Sequence, residues 1–375
     1  MIETDVAVIG AGPAGAATAE KLAESGHDVV MIEKDAFAGE TNVCGGSMDA
    51  AFAADLGLPN EIVKRINRWI YYFPFKVQSV PMDNLSFARN KFDRYLADRA
   101  VRRGVRLFNY TAAVSVDRTY DEINVMTVNR NTKEKQTVRS KLVVFSDGPS
   151  TLGQKAFGIG FHGTPTNTAL GAIYEFEHDG TGDSYDLFFD QKISPWGYGW
   201  VFPKWDHLNV GVGCLISKLN GHLKDYLDYF VFKHPIVAKK LEGKRKIRFA
   251  AATIPLVPAE RISDTRALMV GDAAGMVDSI WGGGIGFALG AANLAARVAS
   301  DAIAENRFDA GFMSQYDRLW RNTQDYKLLR KFKMMSDLAL TLQPIYTNVY
   351  PRLVDFLIWY SEARNRIIKR REPFH

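Results

Sequence analysis

The sequence predicts an α/β (α+β) fold made of a parallel-sheet domain, an antiparallel β-sheet domain and a C-terminal helical segment. Three observations carry this. A glycine-rich turn joins a strand to a helix at Gly10–Gly15, alternating strands fill residues 161–262, and helical spacing takes over from Tyr316.

At 375 residues the chain is long enough for two or three domains, and 47% hydrophobic with 24% charged residues excludes wholesale disorder. Two cysteines, Cys44 and Cys214, cannot build a disulfide framework or a cysteine zinc site, so no metal and an intracellular, cytoplasmic setting are expected. The strand pattern Asp5–Ile9 begins at once and leaves no room for a signal peptide, and no run of about 18 apolar residues suggests a membrane span. Residues 312–375 hold twelve Lys/Arg against six Asp/Glu, so the net charge of +5 lies in the tail and residues 1–311 come to about −1. Such a tail suits an anionic lipid surface, and a peripheral position on the inner membrane face is admitted. Its basic residues are not interleaved along a recognisable binding fold, which argues against nucleic acid.

Thr4–Ile9 reads as a strand, Gly10-x-Gly12-x-x-Gly15 opens a helix to about Ser25, and a second strand, Val29–Ile32, ends in Glu33. The first glycine makes the tight turn, the second admits a pyrophosphate and the third lets helix and strand pack. Glu33, 18 residues after the last glycine, can hold a ribose hydroxyl. Ala14 and Lys34 flank these positions and join the candidate cofactor set. This Rossmann-like unit leaves NAD and FAD both open.

Next comes Thr41-Asn-Val-Cys44-Gly45-Gly46-Ser47, too polar and glycine-rich for a regular element. Its thiol sits on a backbone that can crowd against a planar ligand, or it is a buried, inert small hydrophobe. Phe87 to Arg103 reads as a helix closed by Gly104, with Phe92, Leu96 and Ala100 facing the core. Arg89 at its start can meet a phosphate or stand solvated. Residues 105–145 read as a β-meander whose last strand, Lys141–Phe145, runs into the acidic glycine turn Ser146-Asp147-Gly148.

Ala169–Glu177, Tyr185–Phe189, Gly199–Phe202 and Leu208–Ile216 look like strands of an antiparallel sheet. Within Pro195-Trp196-Gly-Tyr198-Gly-Trp200-Val-Phe202-Pro203, Tyr198, Trp200 and Phe202 alternate and share one face. They make a wall for a flat or greasy ligand, or an ordinary sheet core. Ala267–Val270 reads as a buried strand before Gly271-Asp272-Ala-Ala-Gly275, followed by Gly282-Gly283-Gly284 and a helix from Ile285 to Ala302. Asp272 can accept from a sugar hydroxyl, while Gly283, Gly284 and Ile285 bring backbone N–H groups and a helix N-terminus to a ligand. Tyr316–Met335 reads as one helix and Leu353–Ile368 as another, ending in Lys369-Arg370-Arg371. With Trp359 and Tyr360 the last helix either lies on a bilayer surface or packs on the body.

Together, Gly10-x-Gly12-x-x-Gly15 with Glu33, Arg89 ahead of Phe92-Asp93, Asp147-Gly148, and Gly271-Asp272 with its glycines resemble the FAD-binding set of the p-hydroxybenzoate hydroxylase superfamily. That resemblance selects FAD over NAD. More narrowly, Cys44-Gly45-Gly46 and Pro195-x-x-Tyr198-x-Trp200-x-Phe202-Pro203 resemble the geranylgeranyl reductase family, and the chain is similar to archaeal enzymes that saturate isoprenoid chains of membrane lipids. It implies a discontinuous FAD-binding domain (1–60, 85–155 and 260–310), a substrate-binding sheet domain (61–84 and 156–259) and a helical segment (311–375). It also implies that Cys44 and Gly45 lie near the flavin, and that Gly46, Trp196, Tyr198, Trp200 and Phe202 line a lipid site. Members usually carry a proline where this chain has Ser279, and Trp281 precedes the triple glycine; an indole there can narrow the lipid tunnel.

For such an enzyme we expect hydride delivery from the flavin, with Cys44 supplying or positioning the proton in an apolar pocket. Tyr198 and Trp200 would stabilise the developing tertiary charge. An external electron donor is implied, and NADPH, a deazaflavin and a reduced ferredoxin are all admitted. The alternatives are a monooxygenase hydroxylating an aromatic ring or a polyprenyl quinone, a halogenase, and a non-enzymatic prenyl-lipid carrier.

Overall fold

The computed structural model describes residues 1–41, 43–342 and 358. The chain divides into two compact units, each assembled from separate stretches.

The first unit comprises Met1–Asn42, Arg89–Ala169 and Ala252–Arg330. Strand Ile2–Ile9 pairs in parallel with Val29–Ile32 on one side and Lys135–Phe145 on the other. Arg106–Phe108 and Ala267–Met269 extend the parallel sheet at its two ends. Val6–Ile9 and Val29–Ile32 are buried throughout, the continuous apolar run of strands covered on both faces. Helix Pro13–Glu24 packs against strands Ile2–Ile9 and Val29–Ile32, and helix Ile285–Glu305 packs on that helix. The second presents buried Ala288, Ala291, Ala292, Ala295, Ala296, Ala299 and Ala302, small enough for a close helix–helix approach. His27 Nε2 and Ser300 Oγ join the pair at 2.9 Å.

The predicted meander over 105–145 needs correction. Arg106–Phe108 joins the parallel sheet, and only Thr111–Arg118, Ile123–Asn129 and Lys135–Phe145 run antiparallel. The turn at Tyr110, with φ 52°, separates the two arrangements. The single helix expected over Tyr316–Met335 is two, Gln315–Asn322 and Gln324–Leu342. Thr323 divides them: its backbone is extended, and its hydroxyl accepts the Tyr326 N–H at 3.1 Å as a fresh N-cap. The expected helix Leu353–Ile368, the Lys369–Arg371 run, Trp359 and Tyr360 lie outside the described residues.

The second unit comprises Val43–Ala88, Leu170–Ala251 and the chain from Lys331. Its sheet has the order Lys246–Pro255, Thr168–Glu177, His207–Leu215, Gly197–Pro203, Ser184–Phe188, Val63–Tyr72, Val77–Phe87, Ser47–Asp49. The sheet is not purely antiparallel as expected, because Ser184–Phe188 runs parallel to Val63–Tyr72. These two strands come from stretches more than a hundred residues apart, so no hairpin constrains their sense. Helices Leu223–Phe232 and Pro235–Leu241 cover one face, closing a core of Tyr174, Phe188, Val201, Val210, Val212 and Cys214 with Leu227 and Phe230. Val201 points into that core, so its neighbours Trp200 and Phe202 point to the opposite face. Among the described residues no helix is long and apolar enough to cross a membrane.

Candidate active site

In the first unit the candidate cofactor residues gather at the ends of the parallel strands. Gly10 has φ +97°, and a Cβ on Gly15 would collide with the Gly10 carbonyl, so both positions require glycine. A Cβ on Gly12 meets nothing within 4 Å, leaving its backbone open to a ligand. Glu33 is buried and braces this turn: Oε2 accepts the Ala11 N–H at 2.9 Å and Oε1 the Asp35 N–H at 3.0 Å. Burial pushes its carboxyl above the ordinary value, and those two N–H groups oppose the rise. Lys34 beside it is exposed.

Gly271 reaches the same place from the far end of the chain. A Cβ there would lie 2.8 Å from the Ala14 Cβ and 3.7 Å from that of Ala288. A Cβ on Gly284 would lie 3.4 Å from Asp272 Oδ1, which sets that carboxylate beside the start of helix Ile285–Glu305. Gly284, next to Gly283, provides no side-chain cap for the first N–H groups of the helix, Ile285 included. Burial raises the Asp272 carboxyl, and the Arg89 guanidinium draws it back down. Arg89 itself is locked onto buried Asp93 by two bonds of 2.6 and 2.7 Å, so it opens its helix as half of an ion pair. Asp147 Oδ2 accepts the Leu152 N–H at 2.7 Å, while its Oδ1 is buried with no hydrogen-bond partner among the described residues. Open space above Gly12, an unsatisfied Asp147 oxygen and an uncapped helix start fit a nucleotide cofactor with hydroxyls and an anionic edge. Trp281 belongs to this unit, buried, with its backbone N–H on Asp278 Oδ1 at 2.7 Å.

The second unit carries the aromatic face. Tyr198, Trp200 and Phe202 lie side by side, with ring centroids 5.8 and 6.3 Å apart. Neighbouring strands widen the row: Phe189 lies 5.6 Å from Tyr198, Tyr71 6.1 Å from Phe189, and Tyr185 3.9 Å from Phe202. Trp69 in strand Val63–Tyr72 and Phe73 just past its end extend it further. The three aromatics read from the sequence are thus part of a wall of eight. Tyr71 and Trp69 alternate as clearly as the others, but they lie far away in sequence. Trp196 stands at the start of strand Gly197–Pro203 with φ 54°, an unusual conformation for an aromatic residue, and its indole N–H is buried without a partner among the described residues.

The Cys44-Gly45-Gly46 loop lies on this wall. The Trp200 indole donates to Asn209 Oδ1 at 2.8 Å, and Asn209 Nδ2 donates to the Cys44 carbonyl at 3.2 Å. A Cβ on Gly45 would approach the Phe202 ring to 2.9 Å, and one on Gly46, with φ +59°, would collide with the Phe87 carbonyl. Both glycines are therefore demanded by close approach. Cys44 is half-buried, and its sulfur accepts the Gly46 N–H at 3.3 Å.

The apolar pocket expected around Cys44 is not what the structure holds. Lys204, 2% exposed, donates to the carbonyls of Gly45 and Gly46 (2.8 Å to Gly46) and to Ser86 Oγ at 2.8 Å. Its ammonium stands 5.8 Å from the ring centroids of both Tyr185 and Phe202. Burial depresses it from 10.5 to about 7, against the pull of Cys44 and Glu175. Sequence reading missed Lys204 and Asn209. Lys204 continues the even-numbered row 198, 200, 202, and that period was the available signal.

A parallel sheet with this glycine and carboxylate set, joined in one chain to an aromatic-faced sheet, fits a dinucleotide-dependent oxidoreductase, and sequence similarity makes the dinucleotide FAD. The model of an FAD binding domain matches residues 3–176, and that of the geranylgeranyl reductase catalytic domain matches residues 171–254. Digeranylgeranylglycerophospholipid reductase 2 of Methanosphaera stadtmanae is 31% identical over 370 residues, covering 92% of this chain and 89% of the relative. The corresponding reductase of Thermoplasma acidophilum is 30% identical over 369 residues, covering 94% and 91%. The chain belongs to the geranylgeranyl reductase family, FAD-dependent enzymes acting on carbon–carbon double bonds. A geranylgeranyl bacteriochlorophyll reductase-like protein from Thermoplasma acidophilum shares the fold at TM-score 0.77 and 24% identity, over 95% of this chain and 99% of that one. A flavin-dependent brominase shares it at TM-score 0.75 and 18% identity, over 98% and 92%.

Proposed function

We propose that this protein saturates the double bonds of geranylgeranyl chains on archaeal-type glycerophospholipids or a related prenyl lipid. The observation that carries the reading is the Cys44-Gly45-Gly46 loop resting on an eight-membered aromatic wall, within a chain of this family. Bound FAD supplies a hydride. The chain's own residues do the rest. The wall takes the branched apolar chain and excludes water, and the ring faces of Tyr198 and Trp200 stabilise the developing tertiary charge, by roughly 0.5–2 kcal/mol each. The Cys44 thiol gives its proton to the less substituted carbon, and Asn209 keeps the loop in register with Trp200. In the first unit Glu33, Asp147 and Asp272 would hold cofactor hydroxyls, and the start of helix Ile285–Glu305 would favour negative charge on the cofactor.

Mass spectrometry of lipids from a host that makes geranylgeranyl lipids tests this directly. Mass gains of two hydrogens per double bond are expected with the protein present, and an unchanged profile overturns the reading. Cys44→Ser and Cys44→Ala should retain FAD, accept electrons from dithionite, and then reoxidise slowly with a geranylgeranyl lipid. A loss of about 10²–10⁴-fold fits a proton donor, while less than about tenfold returns Cys44 to a packing role.

The membrane reading gains support from a surface of the second unit, distinct from the C-terminal tail. Residues 223–249 hold eight Lys/Arg and three Asp/Glu. Phe232, 52% exposed, and Phe249, 46% exposed, flank Tyr174 at 6.2 and 5.4 Å, with exposed Ile236 and Ile247 nearby in the chain. Lys233, Lys239 and Lys244 form no ion pair among the described residues. Exposed aromatics among unpaired lysines suit an anionic bilayer surface. Flotation with anionic liposomes should fall in K233E/K239E/K244E with FAD content unchanged. If truncation after Glu362 abolishes flotation and the triple variant still floats, the tail is the surface.

A further inference from the structure

Lys204 is a buried cation with three oxygen partners, none of them a carboxylate. It bonds the carbonyls of Gly45 and Gly46 and the Ser86 hydroxyl, and no ion pair reaches it among the described residues. An ammonium removed from water without a counter-ion is costly, so a fold that only needed the loop tied down would use a neutral donor. The sulfur of Cys44 is one peptide away, bonded to the N–H of the same Gly46 whose carbonyl Lys204 holds.

We propose that Lys204 is the proton reservoir of the reductase, returning a proton to Cys44 after the thiol has protonated the alkene. The inference rests on the proton-donor reading of Cys44. As hydride reaches the more substituted carbon, the S–H bond of Cys44 breaks and a C–H bond forms at the less substituted one. Once the Lys204 side chain exchanges one of its carbonyl partners for the sulfur, an N–H bond of Lys204 breaks and S–H re-forms, leaving a neutral amine and a neutral thiol. The amine later regains its proton from water. The ammonium, held on the carbonyls of Gly45 and Gly46 and attracted by Cys44, also offsets the charge on the sulfur in the interval. A depressed lysine suits this exchange, because near neutrality it holds a proton and releases it readily.

Other titrating groups surround Lys204. Glu175 attracts it from strand Thr168–Glu177, but that carboxylate is taken by Arg248 at 2.6 and 2.7 Å. His207 repels it and is itself held below its ordinary value, mainly by burial. Burial pushes the Tyr185 phenol well up, so it remains neutral throughout.

The test is steady-state reduction of a geranylgeranyl glycerophospholipid in mixed micelles by the holoprotein with dithionite in excess, between pH 5.5 and 9, so that each cycle requires Cys44 to be reprotonated. In wild type the rate should be highest at low pH and fall tenfold per unit above an inflection near 7. The Lys204→Met variant should be slower by about 10²-fold at pH 6.5 and lack that inflection. Lys204→Arg keeps charge and donors but cannot release a proton, so it should be slow and flat too. A mere clamp predicts that Lys204→Arg works and that the inflection persists. The His207→Gln variant should keep the inflection, and its disappearance there would assign it to the histidine and overturn the proposal. A second readout needs no turnover: iodoacetamide should alkylate Cys44 about tenfold faster in wild type than in Lys204→Met at pH 7, as scored by peptide mass, with Lys204→Arg close to wild type. Equal alkylation of wild type and Lys204→Met would sink the coupling. Wild type without an inflection between pH 6 and 8 overturns the proposal even if neither variant folds. A wild type that leaves the lipid unreduced fails the reductase reading instead, and the alkylation ratio still decides whether Lys204 acts on Cys44.

Discussion

Trp200 faces Gly211 across an antiparallel strand pair, and the indole occupies the space where any side chain at 211 would begin. A Cβ there would collide with Trp200 Cζ2 and stand 2.8 Å from Ile173 Cγ2. The tryptophan lies flat on the sheet because its partner has no side chain.

Gly211→Ala should therefore lift Trp200 off the sheet. Overpacking of this kind costs about 1–3 kcal/mol. Tryptophan emission should shift, alkene reduction should fall, and FAD content should stay constant. Normal turnover in Gly211→Ala would mean that the position of Trp200 is immaterial.

Asn209 connects the wall to the loop by accepting from Trp200 and donating to Cys44. Asn209→Leu keeps the volume and leaves an indole N–H and a carbonyl without partners, at about 1–3 kcal/mol each. We expect a lower melting temperature and slowed reoxidation by lipid, with reduction by dithionite unaffected. A variant that melts and turns over like wild type would remove Asn209 from the site.

The parallel half of the fold was legible because its signals are local. Glycines at fixed offsets and buried strands such as Val29–Ile32 read the same alone as in the folded chain. The aromatic site was legible only where it runs along one strand, as Tyr198, Trp200 and Phe202. Tyr71 and Tyr185 join through pairing between distant strands, which no period encodes. Lys204 was missed for a different reason: lysine is rarely buried, so the end of a strand after Pro203 reads as a solvated turn. Arg89 reads as a free cation until folding supplies Asp93, four residues on.

Glu33→Ala and Asp272→Ala should each weaken FAD retention. Hydrogen bonds to charged acceptors contribute about 1.5–3 kcal/mol, so the fall should be roughly tenfold to a hundredfold. The Glu33 variant should also melt earlier, because the N–H groups of Ala11 and Asp35 lose their acceptor. The absorbance ratio of flavin to protein after gel filtration measures the first effect. Full flavin in both variants would overturn their assignment.

Lys204 makes stability depend on pH. Its folded value of about 7 lies below the ordinary 10.5, so between the two the unfolded chain binds more protons than the native one. Native stability relative to unfolded should then rise with pH across that window, by up to about 1.4 kcal/mol per unit. Below pH 7 both states hold the proton and the dependence vanishes. Denaturant titrations of wild type and Lys204→Met should diverge in slope only between pH 7 and 10. Parallel curves would show that Lys204 titrates normally.

The parallel pair of Val63–Tyr72 with Ser184–Phe188 also dictates an order of events during synthesis. Arg68 is matched with Ser184, 116 positions later, and the whole stretch Arg89–Ala169 is made in between. As the chain leaves the ribosome, the hairpin Val63–Phe87 must wait with Trp69 and Tyr71 uncovered while the ferry of later strands arrives. Such long-range closure is slow and exposes a sticky edge meanwhile. A nascent chain halted near residue 170 should thus recruit a holding chaperone, and release should await the arrival of Ser184–Phe188 and Gly197–Pro203.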